Sequence, residues 1–288
     1  ATQDVELLCA GLTVYFANDV SLGPKEADGG FATFSESGGS AADEKGQIER
    51  IECHSKVTLK AEQSVDSALV ARYDAAFADL TLNLQTGDFH ATGPGKLESI
   101  SPDKDGKLQG ASPAAARANS PAQTSETSFV YTQTEFIGEL SGNMHSKTAS
   151  LSQNVVALIA PVRRVDEKID IRNVPIEQLP ERAGILRAEH LTISGIDEPE
   201  DTPDSFAMVA KQNAGLWSQS ISAGADVITY DHSKQQFIMR ADGNGQVTVN
   251  HRAGQGSRYS QFTGNRFEYY RRTNQLKGDQ IRGLDVTN

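Results

Sequence analysis

ADLTLNLQTGDFHATGPGK, residues 78–96, decides the fold class. Ala78, Leu80, Leu82 and Leu84 alternate with Asp79, Thr81 and Asn83, so one face of the segment is apolar and the other polar, which is the period of a half-buried strand. Gln85-Thr86-Gly87-Asp88 gathers turn-forming residues, Phe89-His90-Ala91-Thr92 opens a return strand, and Gly93-Pro94-Gly95 stops it. The stretch predicts a β-hairpin.

The same plan returns along the chain. Residues 225–247, ADVITYDHSKQQFIMRADGNGQV, repeat the Ala-Asp opening, the alternating strand, a polar turn at His232 to Gln235, a Phe-led return and a Gly-x-Gly stop. Residues 264–286, GNRFEYYRRTNQLKGDQIRGLDV, turn at Thr273-Asn274 and end the return at Lys277-Gly278, and Ala188 to Ile193 opens a fourth copy. Further strands are expected over Leu12–Phe16, Ile48–Lys60, Leu69–Tyr73, Phe129–Leu140, Leu151–Val165, Phe206–Ala210 and Gln246–Arg252, with Pro161 and Pro175 limiting the strands they interrupt or flank. Ile176–Leu186 is the best helix candidate, kept short by Pro180. The expectation is an all-β chain of stacked supersecondary units, none able to bury its apolar face alone.

Composition divides the chain further. Residues 22–46, 101–128 and 197–204 are rich in Gly, Ser, Pro, Ala or acids and read as mobile insertions or loops. The rest is expected to form one continuous solenoid over 1–288, with 1–165 and 185–288 as its two halves if it divides. The chain opens at ATQDVELLCAG without a leader pattern, so it is expected to be cytosolic or to have lost a targeting segment. No apolar run approaches the roughly 18 residues of a membrane helix. Cys9 and Cys53 are left open between a disulfide and two reduced thiols.

Charge and motifs exclude several classes. A net charge of −11 argues against general nucleic-acid binding, which needs a basic footprint. The last 38 residues run the other way, with Arg252, Arg258, Arg266, Arg271, Arg272, Lys277 and Arg282 against Glu268, Asp279 and Asp285. Gly93-Pro94-Gly95-Lys96 lacks the spacing and the following helix of a phosphate loop. The six histidines form no pair at metal-binding spacing, no Gly-x-Ser-x-Gly elbow is present, and neither cysteine has a nucleophile's surroundings. No catalytic residue, metal or cofactor is therefore expected.

The repeated plan, together with TEFIGELSGN at 134–143, resembles the OstA/LptA-like superfamily of lipopolysaccharide-transport proteins over residues 67–100 and 129–286. That resemblance implies an antiparallel β-jelly roll or β-taco, a sheet folded over and open along one side, whose apolar inner face holds acyl chains. It also implies a non-enzymatic periplasmic or envelope protein that binds lipopolysaccharide or a similar amphiphile and stacks on other OstA-like proteins through its edge strands. Candidates for the inner face are Leu80, Leu82, Leu84, Leu191, Ile193, Val227, Phe237, Met239, Val247, Val249, Phe267 and Tyr269, subject to a one-residue phase error that would exchange the faces. Arg266, Arg271, Arg272 and Lys277 are the candidate contacts for anionic head groups. Two rivals are a structural scaffold whose groove is filled by its own side chains and, further off, a carbohydrate-active enzyme.

Overall fold

A computed structural model describes residues 2–17, 47–66, 68–103, 129–180, 182–196, 205–243, 245–252, 254, 258–279, 281 and 283–286. The expected insertion at 22–46, the loop at 197–204 and most of 101–128 lie outside the described residues. Those described contain no α-helix, and their strands form one 18-stranded antiparallel sheet.

The sheet is a meander of strands that cross from one lip of a folded sheet to the other. Six crossings are unbroken: β3 (Ile48–Val65), β4 (Ala68–Asn83), β9 (Thr148–Val162), β10 (Gly184–Ile196), β11 (Ser205–Trp217) and β12 (Ile221–Asp231). Six are broken midway into pairs: β1 (Thr2–Leu8) with β2 (Gly11–Phe16), β5 (Asp88–Thr92) with β6 (Gly95–Pro102), and β7 (Phe129–Phe136) with β8 (Glu139–Asn143). The other three are β13 (Gln236–Arg240) with β14 (Val247–His251), β15 (Ser260–Gly264) with β16 (Arg266–Tyr270), and β17 (Gln275–Asp279) with β18 (Gly283–Val286). Each crossing pairs with the next in sequence: β4 takes β5 and β6 at its two ends, for example, and β12 takes β13 and β14. This is a sheet folded on itself in the β-jelly-roll or β-taco manner.

The fold line has a device of its own. In β3, β9 and β11 two successive residues sit at positive φ, namely Ser55-Lys56, Gln153-Asn154 and Gln212-Asn213, where the register against the next strand slips. Such bulges bend a strand and sharpen its twist. The neighbouring strand bends without the extra residues and changes phase instead, so Phe77 and Leu80 of β4 both face inward although their numbers differ in parity. The Ala-Asp/Glu openings explain themselves here. The Asp79 carboxylate accepts from the Ser55 N–H (3.2 Å), Glu189 from Asn154 N–H (3.4 Å) and Asp226 from Asp242 N–H (2.7 Å), each supplying an acceptor to backbone turned out of the ladder at a corner.

Two expectations need correction. Gly93-Pro94-Gly95 does not end a hairpin; the chain turns the corner there, and β5 continues as β6 along the same partner β4. A side chain at Gly93 would meet the Ile137 carbonyl oxygen at 2.2 Å, so only glycine fits this close approach. The helix expected over Ile176–Leu186 is a single 3-10 turn, Ile176–Gln178, and Gly184 already begins β10. Pro161 lies inside β9, two residues past the last pair with β10 (Ile159 to Gly184), where the strand has lost that partner.

Between the two folded walls lies one core with contributions from both ends of the chain, from Cys53, Val57 and Phe77 to Val249, Phe267 and Tyr269. A smaller core sits on the outer face of one wall. There residues 163–183, which join β9 to β10, lay Ile171, Leu179 and Ala183 onto Ile100, Tyr131, Leu158 and Ile185. Cys9 and Cys53 are both free thiols; burial and the neighbouring Cys9 push Cys53 up to about 12.

The corners generate a test. Gln153→Val suits a strand by propensity but places a β-branched residue at φ 63°, so it should lower stability in urea by at least about 1 kcal/mol. Gln153→Gly should leave stability within about 1 kcal/mol of the parent, although glycine inside an ordinary strand is harmful.

Candidate functional site

Four hairpins turn at one lip with the same loop plan. Residues 84–87, 144–147, 232–235 and 271–274 each separate two strands, and each ends on a residue at positive φ: Gly87, Lys147, Gln235 and Asn274. Local polar side chains hold them, as where the Asn83 side-chain oxygen accepts from the Gln85 and Thr86 N–H groups at 3.0 and 2.9 Å. The turns also stack, since Met144 N–H donates to the Gly87 carbonyl (2.8 Å) and Arg271 N–H to the Gln235 carbonyl (2.9 Å).

Across the fold from this lip lies the other, formed by residues 66, 163–180, 182–183, 218–220, 252, 254 and 258–259 among others. Near the C-terminal end the two lips are joined by a directed chain of hydrogen bonds. The Asn274 side-chain oxygen can only accept, so Tyr269 donates to it (3.1 Å) and takes the hydrogen of Ser220 Oγ (2.8 Å). His251 Nε2 faces the same oxygen and the Asn274 carbonyl, both at 3.1 Å, which makes it the protonated nitrogen, and the Asn274 amide donates to the Arg252 carbonyl at 3.0 Å. Arg271 donates across the gap to the carbonyl of Arg182.

Behind this closure is a cavity of about 490 Å³. Its apolar walls are Ile159, Leu216, Ile221, Phe237 and Tyr269; Arg182, Arg252, Arg271 and Arg272 stand around it with, among the described residues, a single acid, Glu177. Arg252 donates to the Gln219 carbonyl (2.6 Å) and the Tyr259 hydroxyl (3.1 Å). Burial raises the pKa of Tyr230 and of Tyr269, and in both the charge of Arg271 pulls the other way, so the guanidinium field reaches into the apolar interior.

At the N-terminal end the walls part. From the corner outward, one wall runs Phe77, Ala75, Tyr73, buried, half-buried and 45% exposed; the other runs Leu80, Leu82, Leu84, from 5% to 41% exposed. Val5 and Leu12 of the edge strands β1 and β2 continue the two apolar walls at 62% and 57% exposure. The fold therefore presents an apolar mouth at one end and an arginine-rimmed cavity at the other.

Of the residues the sequence singled out, Leu80, Leu191, Phe237, Met239, Val247, Val249, Phe267 and Tyr269 are buried in the shared core, and Leu82 and Ile193 pack half-buried against it. Leu84 stands at the lip, just beyond the end of β4. Val227 is buried outside that core, because β12 changes phase at its corner and Ile228 takes the inner position. Arg271 and Arg272 reach the cavity. Arg266 pairs with Glu268 at 2.6 Å, and Lys277 lies 5.0 Å from the Tyr270 ring, both on the outer face. Sequence reasoning missed Arg182 and Arg252 as site residues; Arg252 carried a signal in the basic C-terminal stretch, whereas Arg182 carried none.

Among the described residues no group of three or more His, Cys, Asp or Glu side chains is placed to hold a metal ion, and no helix is long and apolar enough to cross a membrane. Compared with protein-family profiles, with curated proteins and with solved structures, the chain matches none. The class that fold and site define is thus an all-β folded sheet with an apolar interior open at one end.

The lip turns are acid-sensitive in a stated direction. Asp231 is raised by its burial, but bonds from the Lys234 ammonium (2.6 Å), the Ser233 hydroxyl (2.7 Å) and the Lys234 N–H (3.2 Å) outweigh this and hold it at about 2, against an ordinary 3.8. A depressed carboxyl stabilises the fold fully above its unfolded value and loses that contribution as pH falls from 3.8 through about 2. The melting temperatures of the parent and of Asp231→Asn should therefore differ near neutral pH and converge as pH approaches 2.

Proposed function

We propose that the chain is a non-enzymatic envelope protein, periplasmic in location, that binds lipopolysaccharide or a similar amphiphile along the apolar interior of its folded sheet and takes part in moving it. The observation that carries this reading is the parting of the walls at the N-terminal end, where Tyr73, Leu84, Val5 and Leu12 stand exposed over an interior that is otherwise buried. Monomeric proteins seldom leave facing apolar walls in water without an occupant, and an acyl chain entering between them gains about 0.8 kcal/mol for each buried CH₂. The resemblance to the OstA/LptA-like superfamily supports the same ligand class. Among the described residues no strand pairs with the outer sides of β1–β2 and β17–β18, and these edges support end-to-end stacking on proteins of the same kind.

A second reading, the scaffold, draws on a different observation. Met239, Val247 and Val249 are fully buried, so towards the C-terminal end the interior is occupied by the protein's own side chains. That reading requires no lipid and rests on the edge strands alone.

Native mass spectrometry of detergent-free protein, before and after lipid extraction and reloading with lipid A, separates the two. The transport reading expects an acylated adduct that is lost in Leu84→Asp and Tyr73→Asp. As exposed positions, both should shift stability by no more than about 1 kcal/mol. Met239→Ala, by contrast, should cost about 2–5 kcal/mol. Protein that stays empty when offered lipid A, yet associates with rising concentration, would favour the scaffold.

A further inference from the structure

Six arginines elsewhere stand beside carboxylates: Arg50 with Glu52, Arg72 with Asp74, Arg164 with Asp166, Arg172 with Glu135, Arg240 with Asp242 and Arg266 with Glu268. The cavity between the joined lips breaks this habit. Arg252 and Arg271 give their hydrogen bonds to neutral oxygens, those of Gln219, Tyr259 and Arg182, and among the described residues neither they nor Arg272 is ion-paired with an acid. Among the described residues, Arg252, Arg271 and Arg272 stand around one partly enclosed space that Glu177 also lines, which leaves a local excess of positive charge in a chain whose net charge is −11. Charge gathered in this way is offset most effectively by a bound anion.

We propose that this cavity is a binding site for a phosphomonoester. The guanidinium groups arrive from three directions: Arg271 and Arg272 from the turn of one lip, Arg252 from the other lip, and Arg182 from the segment that covers the outer face. Convergence from several sides suits a tetrahedral dianion better than a planar carboxylate, which one guanidinium satisfies edge to edge. Below the rim the walls turn apolar at Leu216, Ile221 and Phe237, and about 490 Å³ is far more room than a phosphate alone requires, so the group bound carries an organic substituent. The site is independent of the acyl-chain mouth at the other end of the fold.

Isothermal titration calorimetry at low salt tests this, using inorganic phosphate, dodecyl phosphate below its micelle-forming concentration, and dodecyl maltoside as the neutral amphiphile. Dodecyl phosphate is expected to bind with one-site stoichiometry and to weaken as salt is raised. Affinity should fall about tenfold or more in Arg271→Gln/Arg272→Gln and stay unchanged in Lys277→Gln, whose cation lies on the outer face. Arg272→Gln alone, at an exposed position, repeats the test should loss of the Arg271 to Arg182 contact disturb folding, with thermal melting monitored in parallel. Inorganic phosphate binding as tightly as dodecyl phosphate, with the same loss in the variants, would assign the site to free phosphate; tighter binding of dodecyl phosphate would assign it to a phosphorylated amphiphile. Equal affinity for dodecyl maltoside and dodecyl phosphate, or arginine variants that bind dodecyl phosphate as the parent does, would overturn the proposal.

Discussion

A sheet can close over its own inner face only if its hydrogen-bond ladder survives the bend. Here the constraint is met by pairs of left-handed residues, Ser55-Lys56, Gln153-Asn154 and Gln212-Asn213, set into strands whose neighbours bend without them. Each such residue costs about 1–2 kcal/mol in backbone energy. The cost is offset by burying both walls on one another: a fully buried side chain such as Met239 or Phe267 contributes about 1.5–3 kcal/mol. The acids Asp79, Glu189 and Asp226 complete the corner by accepting from the backbone of the adjoining strand. Asp79 is held below the usual carboxylate range chiefly by the Ser55 N–H, with the Thr92 hydroxyl assisting.

Once the corner is fixed, everything functional follows from how far the lips stand apart. At the C-terminal end, hydrogen bonds among Tyr269, Ser220, His251 and Asn274 bring them together, and residues as far out as Ile221 and Tyr230 stay buried. At the N-terminal end exposure rises stepwise from Leu80 to Leu84 and from Phe77 to Tyr73. One fold therefore offers two environments, a filled interior and an open apolar mouth, with no change in the strand plan between them.

The strand plan was legible because period-2 alternation survives between corners. Leu80 with Leu82, Phe237 with Met239 and Phe267 with Tyr269 each lie on one face of a strand, whereas Leu84 falls just past the end of β4. The corners were not legible, since Ser-Lys, Gln-Asn and Gln-Asn carry none of the glycine signal that marks left-handed backbone. The phase change they impose is what put Ile228 on the inner face in place of Val227. Ile176–Leu186 reads as a short helix, yet Leu179 and Ala183 are anchors that pin an irregular segment with a single 3-10 turn to the outer face, where Tyr131 donates to Glu98 at 2.8 Å and Arg172 meets Glu135 at 2.7 Å. The cavity was half legible: the basic C-terminal stretch holds three of its arginines, while Arg182, whose carbonyl accepts from Arg271 across 89 positions of sequence, lies in a segment without a basic signal.

Closure and charge are carried by different groups at that cavity. If ion pairs joined the lips, an entering anion would compete with the closing acids, and binding would open the fold. Instead the lips are held by a hydroxyl–amide–imidazole chain in which every donor and acceptor role is fixed by Asn274, and the guanidinium groups of Arg252 and Arg271 rest on carbonyl oxygens. A carbonyl dipole compensates a full charge only in part, and salt screens a half-enclosed group less than an exposed one. The arginines thus keep most of their field for whatever enters, while the neutral chain beside them keeps the walls in register.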